Sequence, residues 1–397
     1  MGTGFDYEKG MHMHRKLLAA GFVAATLVLA SCSSSGDEAA SETTTETEVV
    51  EEAPAEEPAE DMAEEEVVEE APAGAPTDDS NCADPDVYCV GLVTDTGKVD
   101  DKSFNQAAWE GTQQAAEAAG AFAKYIETTD PKDYANNIAQ FAAKGYDTIV
   151  TVGFLMGEAT GLAAAEYPNI NFIGVDQFQG EEIPNLTGLV FSEDQAGYAA
   201  GYLAGLMTKT NKIGAVLGTD TVPPVKLFGE GYKVGAKAAN PDVEVTLVYH
   251  EPNNAFNDPE WGAAESRKQL DQGADIIFAA GGNTGNGGLI EIAKDPGAGE
   301  SIFCIGVDVD QFNTVPQAAK CLLTSAEKKL VSGTEALVLD SFAGGLTGGN
   351  FFGPTGLAPY HDTDAAVPAD VKAAVEAVIA GLADGSIQTG GVALLEN

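Results

Sequence analysis

The feature that most constrains the fold of this 397-residue chain is an alternation of short apolar runs with amphipathic segments, which starts near Cys89. Runs such as VYCVGLV, AKYIET and YDTIVTVG have the length and composition of buried strands, and a segment with helical spacing follows each of them. The alternation occurs twice, and the second series begins at KIGAVLG. Because buried parallel strands joined by crossover helices give this pattern, we predict an α/β protein with two similar lobes.

Residues 1–31 are predicted to be a signal peptide that ends in a lipobox. A basic pair precedes an apolar run of about 14 residues, 17–30, which is shorter than the ~20 residues of a transmembrane helix. The run ends in LASC, so we expect Cys32 to be lipidated after cleavage just before it. An ordinary signal peptide with a chance cysteine is the alternative. The first dozen residues are unlike a signal peptide, which leaves three candidate translation starts: Met1, Met11 and Met13.

Residues 32–80 are predicted to form a disordered acidic tether between the membrane and the folded part. Between Asp37 and Asp79 there are 18 Asp and Glu residues and no Lys or Arg, so this stretch carries 18 of the 42 net negative charges. Such a segment buries too little apolar surface to offset the entropy of ordering, and charge repulsion keeps it extended. Recurring Pro residues and the lack of a sustained apolar heptad argue against a coiled coil.

The overall charge excludes one class of partner. The chain has 62 acidic and 20 basic residues and a formal net charge of −42. Nucleic-acid binding requires clustered Lys and Arg to neutralise phosphates, so we expect no nucleic-acid partner. The sequence also lacks a P-loop, a nucleophile elbow and an HExxH motif, which favours a binding protein over an enzyme. Nothing in the sequence indicates a cofactor.

Four further cysteines follow Cys32 in a chain that we expect to be exported, where disulfides persist. Three pairings are possible. We favour the two that are local in sequence, Cys82 with Cys89 and Cys304 with Cys321. The second would close a longer loop and stabilise the fold by about 3 kcal/mol if it is unstrained. A metal site is a poor alternative, because no CxxC motif occurs and the chain has only 4 His.

Three predicted strands end in an aspartate. GLVTD ends in Asp95, FIGVD in Asp176 and CIGVD in Asp308. In parallel α/β sheets, ligands bind beyond the carboxyl ends of the strands. Any one of these aspartates could simply cap a turn. Three together, two of them in the same run Ile-Gly-Val-Asp, favour a shared cleft.

At these residues the chain resembles the basic membrane protein family, the PnrA-like nucleoside receptors of ABC importers. The motifs that carry the resemblance lie between residues 87 and 395 and are TDTGKVDDKSFNQAAWEG, VTVGFLMGEA, NINFIGVDQ, YAAGYLAG, AAGG, IGVDVDQ and TSAEKK. The family implies the type I periplasmic-binding-protein fold, with two Rossmann-like lobes, three crossing segments as a hinge, and the ligand between the lobes. We therefore expect residues 81–208 plus about 306–345 in lobe one, and residues 209–305 plus about 346–397 in lobe two.

The resemblance also implies the roles of individual residues. Family members stack a nucleobase between aromatic rings, and Phe104 matches one of these positions. Phe228 is our prediction for the ring from the other lobe. Stacking on a base contributes ~1–3 kcal/mol. Asn105 offers donors and acceptors to the base edge, and acidic residues at the positions of Asp95 and Asp176 lie in the family's site.

For the sugar, the resemblance implies Asp308 and Lys328. A carboxylate accepts hydrogen bonds from a vicinal diol, and Lys328 would donate to a sugar oxygen and offset the charge of Asp308. A solvated Lys on a helix is the alternative for Lys328. The family places the loop AAGGNTGNGG, with Gly282, near the ligand, although many members read Gly-Gly-Thr-Gly there. Trp109 has helical spacing and is expected in the core. For Phe154 and Met156, lining the base pocket and packing in the core both remain open.

The leading hypothesis is therefore a monomeric, lipid-anchored receptor on the extracytoplasmic side of the cell membrane, which passes a nucleoside to ABC permease subunits. One alternative is a receptor for a sugar or another small polar ligand on the same fold. A second is a nucleoside hydrolase, which needs clustered carboxylates and releases free base. A third is a structural lipoprotein with a vestigial cleft, which the polar residues at the strand ends argue against.

Overall fold

The structure is a computed structural model that describes residues 77–396. The predicted signal peptide, Cys32 and the predicted tether up to residue 76 lie outside the described residues. In the described part, the apolar runs form strands and the amphipathic segments form helices where the sequence pattern predicts them. Apolar clusters on each sheet are buried by the helices, which gives the predicted α/β class.

Six parallel strands form the sheet of the first lobe: β1 (Cys89–Thr94), β2 (Phe122–Ile126), β3 (Thr148–Val152), β4 (Asn171–Val175), β5 (Leu186–Val190) and β11 (Gly349–Phe352). Their order across the sheet is β11–β5–β4–β3–β1–β2. Four helices belong to this lobe: α1 (Phe104–Ala119), α2 (Tyr134–Ala142), α3 (Gly157–Glu166) and α9 (Leu330–Phe342). Every residue of β1 and β3 is buried, as expected of central parallel strands covered on both faces.

The second lobe repeats this architecture. Its strands are β6 (Lys212–Leu217), β7 (Glu244–Tyr249), β8 (Ile276–Ala280), β9 (Phe303–Asp308), β10 (Leu322–Lys328) and β12 (Thr355–Leu357). Their order is β12–β10–β9–β8–β6–β7, and β12 is antiparallel to β10. Its helices are α4 (Glu193–Met207), α5 (Pro223–Ala239), α6 (Pro259–Asp271), α7 (Gly282–Ala293), α8 (Gln311–Thr314) and α10 (Ala369–Asp384).

Within the described residues, the chain crosses between the lobes three times: from β5 to α4, from β10 to α9, and from β11 to β12. The predicted lobe bounds were wrong at each crossing. Lobe one comprises residues 77–190 and 330–352, and lobe two comprises residues 193–328 and 355–396. Strand pairing decides this, because β9 and β10 extend the second sheet and β11 pairs with β5 of the first. Helix α4 also belongs to lobe two, since it packs along α5.

Glycines explain why α4 packs so closely on α5. Gly197 and Gly201 of α4 face the backbone of α5 at Phe228 and Tyr232, where a Cβ atom would clash with a carbonyl oxygen. Gly235 of α5 makes the reciprocal approach to the backbone of α4. The motif YAAGYLAG and the glycine before it, Gly197, therefore set the position of α5, and Gly197 fixes the position of Phe228.

Both disulfides in the structure are local in sequence. Cys82 joins Cys89 with a Cα–Cα distance of 5.5 Å, and Cys304 joins Cys321 with a Cα–Cα distance of 5.2 Å. The second links the start of β9 to the residue before β10, so it fastens two strands that end at the cleft. None of the helices between residues 77 and 396 is both long enough and apolar enough to span a bilayer.

Candidate ligand-binding site

A cavity of about 560 Å³, part of it open to solvent, lies between the lobes at the carboxyl ends of the strands. The eight residues predicted for the site all line it: Asp95, Phe104, Asn105, Asp176, Phe228, Gly282, Asp308 and Lys328. The first four come from lobe one and the last four from lobe two, so a molecule in this cavity would contact both lobes.

The two Ile-Gly-Val-Asp runs have the same backbone shape. Asp176 follows β4 and Asp308 ends β9, and both adopt left-handed backbone angles, with φ of 60° and 66°. Such angles are strained for residues other than Gly, Asn and Asp, and they concentrate at binding sites. The turn directs both carboxylates into the cavity instead of along the strands. The repeated motif therefore builds equivalent acidic corners in the two lobes.

The loop before α1 is organised by a carboxylate that the sequence analysis did not assign. Asp101 is 3% exposed, and its carboxylate accepts hydrogen bonds from the backbone N–H groups of Ser103, Asn105 and Gln106, at 2.9–3.1 Å. These are donors that the start of a helix leaves unpaired. Asp101 thus fixes the start of α1, which carries Phe104 and Asn105 at the cavity wall. A helix-capping signal in DDKS was available but ambiguous between its two aspartates.

One buried ammonium group lies among the aromatic rings of the cavity. Lys328, at the end of β10, is 3% exposed, and its Nζ is 4.6 Å from the ring centroid of Phe104. The ring centroids of Phe228 and Phe191 are each 5.5 Å from the same Nζ. Phe104 is half-buried against the core of lobe one, whereas Phe228 is buried and packs edge-on against Phe278 at 6.0 Å. Rings from both lobes therefore converge on one cation.

Three carboxylates surround this ammonium group. Asp176 Oδ2 is 2.6 Å from Lys328 Nζ, Glu193 Oε1 is 3.6 Å away, and Asp308 Oδ1 is 3.7 Å away. The predicted partner of Lys328 was Asp308, yet its closest carboxylate is Asp176 from the other lobe. Asp308 instead accepts a hydrogen bond of 2.8 Å from Ser103 Oγ. The alternative of a solvated helical Lys is wrong, because Lys328 is buried at the end of a strand.

Burial and charge shift the titration of these groups. Burial lowers the pKa of Lys328, but Asp176, Asp308 and Glu193 outweigh it, so the pKa is raised and the amine stays protonated. Burial raises the pKa of Asp176 and Asp308, against the opposing effect of Lys328. Burial also raises the pKa of Glu193 to about 8.

Two carboxylates on the cavity wall lie farther from the cation. Burial raises the pKa of Asp95 to about 7, although its carboxylate accepts the backbone N–H of Gly97. Burial likewise raises the pKa of Asp101 to about 7, although three backbone N–H groups stabilise the ionised form. Five buried carboxyl groups lie around one ammonium group, and burial keeps part of them protonated near neutral pH. Their oxygen atoms favour ligands that donate hydrogen bonds.

Two polar atoms of the site have no hydrogen-bond partner in the structure. Asn105 Oδ1 and Asp176 Oδ1 are buried and unpaired, and their residues are only 3% and 8% exposed. An unpaired buried acceptor costs about 1–3 kcal/mol. Both residues line the cavity, so a hydrogen-bond donor of a ligand could supply the partner that these atoms lack within the protein.

Other expectations were right in part. Trp109 packs against the core of lobe one and edge-on against Tyr125 at 5.1 Å, as expected. Phe154 lines the cavity, whereas Met156 is fully buried in the core. Sequence reasoning missed Glu193, whose place at the start of a helix is equally typical of a stabilising acidic cap. It also missed Phe256, a half-buried ring of the cavity wall in a loop with no periodicity.

The raised pKa values predict how stability depends on pH. The carboxyl group of Asp95 has a pKa near 4 in the unfolded chain and of about 7 in the folded protein. At pH values between these two, the folded protein holds a proton on Asp95 that the unfolded chain releases. This contribution favours the folded state at low pH and is lost as the pH rises to 7. Asp95→Asn should therefore raise the free energy of unfolding at pH 8 by on the order of 1–4 kcal/mol. Thermal unfolding of both proteins between pH 5 and 8 measures it.

The control is Asp100→Asn, which removes an exposed charge from the same loop. It should leave the pH dependence unchanged. Parallel melting curves for wild type and Asp95→Asn across this range would contradict the assignment of Asp95 as a buried acid that is neutral in part of the range.

Comparison with known proteins agrees with this geometry. Residues 89–351 match the family model described as ABC transporter substrate-binding protein PnrA-like. The chain is 31% identical over 322 residues to the CD4+ T-cell-stimulating antigen of Listeria monocytogenes, covering 76% of this chain and 87% of that protein. It is also 31% identical over 227 residues to the ABC transporter nucleoside-binding protein BmpA of Lactococcus lactis, covering 55% of this chain and 63% of that protein.

Solved structures support the fold. An ABC transporter solute-binding protein from Aeropyrum pernix has a TM-score of 0.63 at 25% identity, covering 78% of this chain and 89% of that one. One from Conexibacter woesei has a TM-score of 0.58 at 25% identity, covering 76% and 98%. The predicted type I periplasmic-binding-protein fold is confirmed. With a family match across most of both lobes, this chain belongs to the PnrA-like family of ABC transporter substrate-binding proteins.

Proposed function

We propose that this protein captures a nucleoside, preferentially a purine nucleoside, between its lobes and delivers it to an ABC permease. The observation that carries the proposal is the convergence of Phe104 from lobe one and Phe228 from lobe two on a cavity with a polar end. Flat apolar surfaces beside a cluster of charged groups suit a molecule with an aromatic ring at one end and hydroxyl groups at the other. Among the relatives, BmpA of Lactococcus lactis is named as nucleoside-binding.

The aromatic end of the cavity supports a nucleobase. Every base has a π-face, and stacking on an aromatic side chain contributes ~1–3 kcal/mol. The unpaired Oδ1 atom of Asn105, the residue after Phe104, is positioned to accept a hydrogen bond from a ring N–H or amino group. Asp95, on the same wall, provides a second group for the base edge.

The charged groups beside the rings support a ribose. Asp308 and Lys328 lie 3.7 Å apart, close enough for one sugar hydroxyl to donate to the carboxylate while another accepts from the ammonium group. Charge-assisted hydrogen bonds of this kind contribute about 1.5–3 kcal/mol each. Four acidic side chains line the cavity, against one ammonium group. They disfavour a further negative charge, so we expect nucleosides to bind and nucleotides to be rejected.

Binding between the lobes provides the link to transport. A ligand that contacts both lobes favours the closed form by its difference in affinity for the two forms. A permease can then distinguish the loaded receptor by its shape. Lipidation of Cys32 would hold the receptor next to the permease on the extracytoplasmic side. The acidic segment would be the tether only up to about residue 76, because Asp79 forms ion pairs with Lys124 and Lys144 of lobe one.

Replacing Phe104 tests the stacking role. Phe104→Ala should weaken nucleoside binding about ten- to a hundredfold, because it removes one stacking surface. Phe104→Tyr should have a small effect. Phe104→Leu keeps apolar contact with the core but loses the flat ring, so it should weaken binding nearly as much as Ala while retaining more stability. Isothermal titration calorimetry and thermal unfolding measure the two quantities separately.

The matched control is Phe351→Ala, which removes a ring that is 40% exposed and does not line the cavity. It should leave nucleoside affinity unchanged. If Phe104→Ala loses stability but keeps its affinity once folded, Phe104 serves only to pack α1 against the core.

A ligand series tests the division between base and sugar. Nucleoside should bind most tightly, a deoxyribonucleoside lacking one hydroxyl more weakly, and free base weakest, because each step removes contacts to Asp308 and Lys328. Asp308→Asn should reduce the gap between nucleoside and base. Asparagine suits this test because it tolerates the left-handed backbone of position 308. Calorimetry gives the order of affinities, and small-angle scattering reports closure.

Equal affinity for base and nucleoside would overturn the assignment of the sugar end. Closure by a simple hexose, with none by a nucleoside, would favour the sugar-receptor alternative. Release of free base during incubation would indicate a hydrolase.

The lipid anchor is tested at Cys32. The wild-type protein should partition with membranes in cell fractionation, whereas Cys32→Ser should remain unprocessed at the signal peptide. Two or more acyl chains give stable attachment, at ~0.8 kcal/mol per buried CH₂ group. Recovery of the wild-type protein entirely in the soluble fraction would rule out the anchor.

A further inference from the structure

Three consecutive residues of the loop before α1 are hydrogen-bonded by lobe two. Asn286 Nδ2 donates to the carbonyl oxygen of Asp101 at 2.7 Å. Thr314 Oγ1 donates to the carbonyl oxygen of Lys102 at 2.7 Å. Ser103 Oγ donates to Asp308 Oδ2 at 2.8 Å. Residues 101–103 are therefore a segment of lobe one that lobe two contacts through three hydrogen bonds, and we call this segment the closure loop.

Two of these bonds end on backbone carbonyls, so they depend on the conformation of the closure loop. Lys102 has φ of 58°, a left-handed angle that a lysine rarely adopts. This angle lies between the two carbonyls that Asn286 and Thr314 bind. A loop that relaxed to an ordinary angle would present those carbonyls differently. The hydrogen bonds from lobe two therefore stabilise the strained loop conformation, and this conformation presents the two carbonyls that those bonds require.

The donor Asn286 is held in a fixed orientation by other amides. It is 6% exposed, and its Oδ1 accepts from Gln311 Nε2 at 2.8 Å. Gln311 Oε1 in turn accepts from the backbone N–H of Val307 at 2.9 Å, next to Asp308. Asn286 Nδ2 also lies 3.3 Å from Asn283 Oδ1. The segment GGNTGNGG, which departs from the common family pattern and forms the start of α7, thus supplies both Asn283 and the donor that reaches lobe one.

The closure loop leads directly to the stacking ring. The carboxylate of Asp101 caps α1, whose first residue is Phe104, while the carbonyl of Asp101 accepts from Asn286. Neither Asn286 nor Thr314 lines the ligand cavity. A substitution at either residue therefore removes a hydrogen bond between the lobes without removing a surface that the ligand touches.

We propose that Asn286 and Thr314 are positioning residues that latch the lobes shut through the closure loop and so set how long the ligand is retained. They act through Asp101 and Lys102 on α1 and Phe104. The identity of the ligand rests on the proposed function, but the latch itself does not.

The test compares Asn286→Ala and Thr314→Val in the full-length protein. Loss of one interlobe hydrogen bond should raise the dissociation rate of a purine nucleoside about three- to tenfold, while the association rate stays the same. The matched control is Thr363→Val. Its hydroxyl donates to the carbonyl of Leu322 at 2.8 Å, a bond of the same kind within lobe two. This control should leave the dissociation rate unchanged. Stopped-flow fluorescence measures the rates.

A second measurement needs no ligand. Spin labels at two exposed positions, Glu158 in lobe one and Glu260 in lobe two, report the distribution of distances between the lobes. In ligand-free protein, Asn286→Ala and Thr314→Val should reduce the fraction of closed molecules by a similar factor, and Thr363→Val should not. If the wild-type protein binds no nucleoside, the proposed function is wrong. The distance measurement still tests whether Asn286 and Thr314 hold the lobes closed.

Unchanged dissociation rates and unchanged distances in both variants would overturn the latch. So would an equal effect of Thr363→Val, since that would indicate general loosening of lobe two. If Asn286→Ala does not fold because its position is buried, Thr314→Val decides, because Thr314 is half-buried and contributes no core packing.

Discussion

The buried ion cluster around Lys328 is the interaction on which the site depends. A single ammonium group, 3% exposed, faces Asp176 of lobe one and Asp308 and Glu193 of lobe two. A buried charge without partners would be strongly unfavourable. The closest partner of Lys328, Asp176, comes from the other lobe, so the shortest ion pair of the cluster forms only where the lobes meet. Lys328 also lies at the end of β10, directly before a crossing segment, which places the cluster next to the hinge.

Local structural features position each of the groups in and around this cluster. The Ile-Gly-Val-Asp turns direct Asp176 and Asp308 inward through left-handed backbone angles. The glycine contacts between α4 and α5 fix Phe228, and the carboxylate of Asp101 fixes the start of α1 and Phe104. Each of these features involves backbone strain, close packing or a buried charge, and the packing of the lobes offsets its free-energy cost. The result is a cleft in which both lobes supply aromatic rings and charged groups, side by side.

Much of the fold and of the cavity lining could be predicted from the sequence. The alternation of strands and helices is a local pattern, and the aspartates follow strands whose ends meet at one edge of a sheet. The lobe bounds could not be predicted in this way. Whether β9 and β10 join the first or the second sheet depends on pairing between strands far apart in sequence. For the same reason Asp176 was not expected as the closest partner of Lys328.

The sequence by itself determined the α/β class, the two repeated lobes and the residue types that face the cleft, because periodicity and strand-end chemistry are properties of short segments. Only the tertiary structure decided which lobe each crossing segment joins, that Glu193 and Asp101 are buried in the site, and that Asn286 reaches the backbone of the opposite lobe. Burial and long-range hydrogen bonds arise when distant segments pack together, and no single segment encodes them.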